Sequence, residues 1–380
     1  MNDVLLKDIC LLIVDCPHST AYDEGKGYPL VRTPNIGKGR LIYQGMHRVS
    51  EDVYHQRNQR AVPQEGDLIF AREATAGNVA QIQPGEKVCL GQRTVLIRPN
   101  REIVDSAFLT YFLLAPKQQY NLLSTANGAT VAHVNMPTIR NLKLSIPDLP
   151  TQKRIASILS AYDDLIEVNR KQIKLLEEAA ERLYREWFIE LRFPGHEQAT
   201  FNQDGLPNGW KKGIIADLGE FRRGKTITRK DARDGNVPVV AGGITPAYYT
   251  NKSNTEAPVI TISASGNAGF ANFYYEKIWA SDCSYLDNTG TEFIYFMHCL
   301  IQNNQTAIYN FQKGSCQQHV NAKQVNSLEV IVPDKNTIAL FENRCATIFE
   351  KIASLDEQSK QAAEARDLLL PRLMNGEIQL

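Results

Sequence analysis

Residues 128–148 read GATVAHVNMPTIRNLKLSIPD, and residues 314–334 read GSCQQHVNAKQVNSLEVIVPD. The two stretches align without a gap at an offset of 186 residues. Gly128 matches Gly314, His133-Val134-Asn135 matches His319-Val320-Asn321, Leu142 matches Leu328, and Ile146-Pro147-Asp148 matches Val332-Pro333-Asp334. Short coincidences are common in any protein, but a gapless match of this length marks a duplication. The period is far longer than the roughly 20–50 residues of a solenoid repeat. The 380 residues therefore read as two similar halves, related by a pseudo-two-fold axis.

Each Pro-Asp is followed by a helical pattern. From Ile155 the apolar positions step by four and three through Leu159, Tyr162, Ile166, Asn169, Ile173, Leu176, Ala180, Leu183 and Trp187. Spacing of that kind predicts a coiled-coil helix. Pro150 and Thr151 suit its start, and Phe193-Pro194-Gly195 ends it. Adding 186 gives a second seam: Phe341, Cys345, Ile348, Ile352, Leu355, Ser359, Ala362, Arg366, Leu369 and Leu373. It is interrupted by Ser359 and Arg366, and Pro371 is placed to kink or end it. Two such helices in one chain most simply pair with each other, antiparallel if the halves obey a two-fold. The remaining segments carry short β-like runs, such as Asp67-Leu68-Ile69-Phe70 and Val259-Ile260-Thr261-Ile262. The expected fold is α+β. Two mixed α/β domains (1–148 and 196–335) alternate with two long spacer helices (149–195 and 336–380).

Composition excludes several classes. There are 42 basic and 42 acidic side chains, so bulk charge alone cannot bind a polyanion, although local surfaces can. No run of about 18 apolar residues is present, which argues against a membrane span. The N-terminus lacks the basic start of a signal peptide. The seven cysteines (10, 16, 89, 283, 299, 316 and 345) are scattered. The nearest approach to a metal pattern, Cys316 with His319, has no second pair. Reduced thiols in a cytoplasmic protein without a metal fit better.

The sequence 219–226, GEFRRGKT, fits the spacing of a phosphate-binding loop with Lys225 and Thr226. The motif needs a helix directly after it, and 227–238 has no apolar helical face. Adenine-methyltransferase, zinc-protease and serine-hydrolase motifs are absent. His133 and His319 occupy equivalent places in the repeat, and a structural role suits them better than a catalytic one.

Two clusters point instead to nucleic acid. Residues 17–60 hold Lys26, Arg32, Lys38, Arg40, Arg48, Arg57 and Arg60 against four acids, with Asn58 among them. Residues 222–252 hold Arg222, Arg223, Lys225, Arg229, Lys230, Arg233 and Lys252 against two acids. Lys and Arg contact phosphates, while Arg, Asn and Gln have two-point complements to purine edges. The candidate DNA-binding residues are Lys38, Arg40, Arg57, Asn58 and Arg60 in the first half. In the second half they are Arg222, Arg223, Lys225, Arg229 and Lys230.

The segment 155–195 (IASILSAYDDLIEVNRKQIKLLEEAAERLYREWFIELRFPG) resembles the central region of type I restriction–modification DNA-specificity subunits. Residues 206–210 (LPNGW) resemble the entry to the second target-recognition domain of that family, and 368–378 (LLLPRLMNGEI) its distal end. The resemblance implies that each globular domain reads one half of a bipartite double-stranded DNA target, with the helices as antiparallel spacer. It implies docking of two methyltransferase subunits and of motor–nuclease subunits. S-adenosylmethionine, ATP and Mg²⁺ would belong to those partners, leaving this chain specificity and no chemistry. A coiled-coil scaffold with protein-binding heads is the alternative, and a phosphate-loop hydrolase a more distant one.

Overall fold

A computed structural model describes residues 2–124, 133–314, 319–378 and 380. Of the repeat noted above, Gly128 and Cys316 lie outside these residues. By packing, the chain divides into two units, Met1–Val168 with Gln358–Leu380 and Asn169–Glu357.

In the first unit the strands are β1 (Asn2–Leu5), β2 (Cys10–Asp15), β3 (Tyr28–Val31), β4 (His47–Val49), β5 (Leu68–Ala71), β6 (Val79–Gln81), β7 (Cys89–Leu90), β8 (Thr94–Pro99) and β9 (Lys143–Ile146). Its helices are α1 (Glu51–Arg57), α2 (Ser106–Leu114), α3 (Pro116–Leu123), α4 (Met136–Arg140) and the first part of α5 (Leu149–Tyr184). The strands form three sheets, of order β1-β9, β2-β8-β5-β6 and β4-β3-β7. The runs Leu68–Ala71 and Thr94–Pro99 are almost wholly buried because the four-stranded sheet is covered on both faces.

The second unit carries β10 (Lys211–Ile214), β11 (Arg222–Arg223), β12 (Val237–Val240), β13 (Tyr248–Thr250), β14 (Val259–Ser263), β15 (Ala271–Tyr274), β16 (Trp279–Ala280), β17 (Cys283–Asp287) and β18 (Glu329–Val332). Its helices are α6 (Ile294–Asn303), α7 (Gln305–Asn310), α8 (Ala322–Asn326) and most of α9 (Lys335–Met374). The sheets are β10-β18, β11-β17-β14-β15 and β13-β12-β16. The topology of the first unit thus recurs strand for strand, down to a parallel pair beside an antiparallel one in each three-stranded sheet. From α4 onward the correspondence is one of position too. The starts of α4, β9 and α5 recur 186 residues later in α8, β18 and α9.

The Pro-Asp ending of the repeat acts as a helix cap. Asp148 Oδ1 accepts from the Thr151 amide at 3.0 Å, and Asp334 Oδ1 from the Thr337 amide at 3.0 Å. Trp210 of the LPNGW segment donates to Asp334 Oδ2 at 3.0 Å, tying that segment to the cap. At about 1.5 Å per residue, α5 and α9 measure roughly 54 and 60 Å. Helix α5 continues through a π-turn, Arg185–Ile189. Pro371 does not end α9, which runs on to Met374.

Within each unit the two helices are antiparallel. In the first, Asp163 pairs with Arg366, while Ile155 and Leu159 share a core with Leu370 and Leu373. In the second, Asn169 Nδ2 donates to the carbonyl of Leu355 at 3.3 Å, and Trp187 meets Phe341 with ring centres 5.8 Å apart. Ile155, Leu159, Ile166, Trp187, Phe341, Ile352, Leu355 and Leu373 are buried as the seam predicts. Tyr162, Ile173, Leu176, Leu183, Ile348 and Leu369 are only partly buried. Neighbours at 163, 184, 349 and 370 take the deeper places. The reason is that each helix packs against its unit's sheets and α2 or α6 as well as against the other helix. That widens the buried stripe beyond a two-helix seam.

Candidate nucleic-acid interface

The links β2–β3 and β11–β12 occupy the same topological place, each a strap that runs from the end of the edge strand of its four-stranded sheet to the middle strand of its three-stranded sheet. In the first unit the strap is pinned by buried polar groups. Arg57, 4% exposed, donates from Nε to the Leu90 carbonyl at 2.6 Å and from a terminal nitrogen to the Ser19 carbonyl at 3.0 Å. Asn58, equally buried, donates to the Val88 carbonyl at 3.3 Å. These two residues belong to the interior, and the expectation that they read DNA is corrected. A guanidinium that saturates buried carbonyls cannot also face a groove.

The other basic groups of 17–60 are largely engaged. Arg60 donates to the Asp15 carbonyl at 3.0 Å, Arg32 to that of Gly45 at 3.1 Å, and Arg48 to that of Gly27 at 2.9 Å. Arg40 pairs with Asp164 of α5 at 2.5 Å. Lys26 and Lys38 are exposed and carry no hydrogen bond or ion pair among the described residues.

The second strap is different. Tyr248 hydroxyl donates to the Ile227 carbonyl at 2.6 Å and Trp279 Nε1 to that of Lys225 at 2.7 Å, so the backbone is fixed. Yet Arg223, Lys225, Arg229, Lys230 and Arg233 are exposed, with no side-chain partner among the described residues. Arg222 is the exception. It pairs with Asp287 at 2.7 Å and lies 5.2 Å from the Tyr285 ring centre. With the strap backbone held at these points, mainly side-chain entropy is left to lose if its exposed cations meet an anion.

This arrangement also removes the phosphate-loop reading. The Gly224 amide donates to the Cys283 carbonyl at 2.8 Å and the Lys225 amide to that of Ala280 at 2.9 Å. Those amides are spent on strand pairing, and no helix follows before α6.

At the same sheet end lies a polar corner that the sequence did not reveal. Arg72 pairs with Asp15 at 2.6 Å and donates to the Val134 carbonyl at 2.9 Å. Its terminal NH2 stands 2.9 Å from His133 Nε2, whose other nitrogen lies 2.6 Å from Glu73. A guanidinium only donates, so Nε2 accepts and Nδ1–H donates to Glu73. Glu73 in turn holds Arg93 Nε at 2.8 Å. Arg93 has φ +65° and Ala74, beside Glu73, φ +61°. Each left-handed non-glycine residue costs about 1–2 kcal/mol. The only sequence clue was the repeated histidine. In the second unit His319 is exposed and approaches the Ala264 carbonyl at 3.1 Å.

Among the described residues no group of three His, Cys, Asp or Glu side chains could hold a metal ion. Burial pushes the thiols of Cys10, Cys283 and Cys345 up to about 12. No helix among the described residues is long and apolar enough to cross a membrane.

The sequence matches the family described as type I restriction modification DNA specificity domain over residues 1–178 and again over 207–365. It is 22% identical to the type I restriction enzyme HindI specificity subunit of Haemophilus influenzae, across 83% of this chain and 87% of that protein. It is 23% identical to the MjaIX specificity subunit of Methanocaldococcus jannaschii, across 99% and 93%. The crystal structure of a type I restriction-modification S subunit from M. genitalium shares the fold. Its TM-score is 0.59, with 15% identity across 98% of this chain and 95% of that one.

Proposed function

We propose, from the premise that this chain belongs to the type I restriction–modification DNA-specificity family, that it selects a bipartite double-stranded DNA sequence, one half per unit, for partner subunits that do the chemistry. The observation that carries this reading is the recurrence of one head topology with a strap at the same sheet end in both units. Two heads of one design with different surface residues suit two different half-sites. The exposed set Arg223, Lys225, Arg229 and Lys230 supplies phosphate contacts in the second head, with Lys38 and Arg60 in the first.

Two methyltransferase subunits follow from the duplication, since any surface offered by one unit has a counterpart on the other. Methylating a base requires flipping it from the stack. Those subunits bring S-adenosylmethionine, and the motor–nuclease subunits bring ATP and Mg²⁺. The complex works in the cytoplasm, where the DNA is.

The test is methylation-sensitive single-molecule sequencing of genomic DNA. Cells co-express the chain and its cognate methyltransferase, or the methyltransferase alone. A split motif with a fixed unread gap, modified only when the chain is present, is expected. No new modification despite an assembled complex and an intact methyltransferase would overturn the reading in favour of a scaffold.

A further inference from the structure

The polar corner recurs in the second unit with its chemistry inverted. Backbone hydrogen bonds establish the equivalence. The Arg72 amide donates to the Arg93 carbonyl as that of Ala264 does to Asp282, and the Val134 amide to Arg72 as that of Val320 does to Ala264. The Cys16 amide donates to Thr94 as that of Gly224 does to Cys283. Arg93 therefore corresponds to Asp282, and Glu73 to Ser265. In the first unit a guanidinium is held by a carboxylate, with Nε of Arg93 on Glu73 and the side chain 61% exposed. In the second, the Asp282 carboxylate accepts from the Ser265 hydroxyl. The preceding residue secures the strap in both cases. Gln92 donates to the His18 carbonyl, and Ser281 Oγ accepts the Ile227 amide at 3.4 Å.

We propose that Arg93 and Asp282 are the specificity-determining residues of the two heads, Arg93 reading guanine and Asp282 the amino group of cytosine. The inference rests on the DNA-specificity reading above. Holding Nε of Arg93 aims the terminal nitrogens as a two-point donor, the complement of guanine O6 and N7. The Arg93 backbone, at φ +65° and accepting the Arg72 amide at its carbonyl, is set before DNA arrives. Asp282 is argued by exclusion. Asp282 lies between Ala280 and Ser284, whose backbones pair with Lys225 and Arg223 of the cation-bearing strap. At such a surface a carboxylate repels phosphate, so its use is to accept from a base. Of the major-groove amino donors, adenine N6 stands beside the acceptor N7, which repels a carboxylate, and cytosine N4 is the one left as its complement. Glu73 and Ser265 are positioning residues.

The experiment compares four chains in the assembled methyltransferase complex: wild type, Arg93→Gly, Arg93→Lys and Asp282→Asn. Glycine favours the left-handed backbone, and asparagine keeps the shape of aspartate, so folding is preserved. Genomic methylation is mapped for each, and initial rates are measured on duplexes varied at single positions. Both Arg93 variants should relax one guanine position of one half-site, losing about 5- to 150-fold discrimination there and leaving the other half intact. Asp282→Asn should relax one position of the other half-site. A wild-type motif retained in all variants overturns the proposal. So does a uniform fall at every sequence that Arg93→Lys restores, which marks a phosphate contact. If wild type itself yields no sequence-specific methylation, the underlying reading has failed instead.

Discussion

Arg57→Ala separates a base-reading arginine from a structural one. The side chain is 4% exposed, and its hydrogen bonds reach carbonyls at 2.6 and 3.0 Å. Hydrogen bonds from a charged group contribute about 1.5–3 kcal/mol each, and relief of the buried cation offsets part of that sum. Burial lowers the guanidinium pKa, so the cation is indeed disfavoured by its surroundings. The net cost is about 3 kcal/mol, which for a unit of this size lowers its melting temperature by roughly 6–12 °C. Loss should be local first, so amide exchange in 16–27 and 88–92 should accelerate in deuterium-exchange mass spectrometry. Arg57→Lys should recover little, because one ammonium cannot span both carbonyls. Unchanged exchange and melting, with DNA selectivity lost, would refute the structural assignment and restore Arg57 to the interface.

Arg366→Ala leaves the Asp163 carboxylate, 5% exposed on its side chain, without its cation and with only the Tyr111 hydroxyl as a side-chain donor among the described residues. It should destabilise the first unit by about 3 kcal/mol in calorimetry. The double variant Arg366→Met with Asp163→Leu should be much milder, since it removes the charge with its partner. Burial lowers the pKa of His298 to about 4, below its ordinary 6.5. A base depressed in the folded state contributes stability above pH 6.5 that is lost as pH falls toward 4. The second unit should therefore weaken across that window at about 1.4 kcal/mol per pH unit. His298→Phe, facing Phe273 and Phe349, should flatten the profile. Replacing Lys225, Arg229 and Lys230 together by Gln should weaken binding to all sequences alike and reduce the salt slope of log K by about 2–3.

What the residues revealed depended on whether the controlling interaction was local. The 186-residue offset located α9 from α5, because helix periodicity acts within a few residues, whereas the short α4 and α8 carried no such period. The seam was legible at Ile155, Leu159 and Phe341 but displaced at Asp163 and Phe349, where a sheet-bearing head shares the burial. Arg57 and Arg60 looked alike in sequence. Their separation, buried against exposed, comes from carbonyls more than 30 residues away. The corner of Asp15, Arg72, Glu73, Arg93 and His133 draws on three strand ends and the segment before α4, and only the repeated histidine marked it in the sequence.

The joint between head and helix has diverged since the duplication. In the first unit Tyr111 hydroxyl bonds Asp163 at 2.5 Å, and a β-carbon on Gly39 would come within 2.9 Å of that carboxylate. The counterpart of Asp163 is Phe349, which stacks on Tyr295 with ring centres 4.7 Å apart. Each head is thus keyed to its own stretch of helix, one by ions and one by aromatic rings. A recombination event that moved a head alone would set a hydroxyl against phenylalanine or a ring against a carboxylate. A chimera that moves a head together with its own helix half, divided near residues 168 and 357, should therefore melt higher than one that moves the head alone.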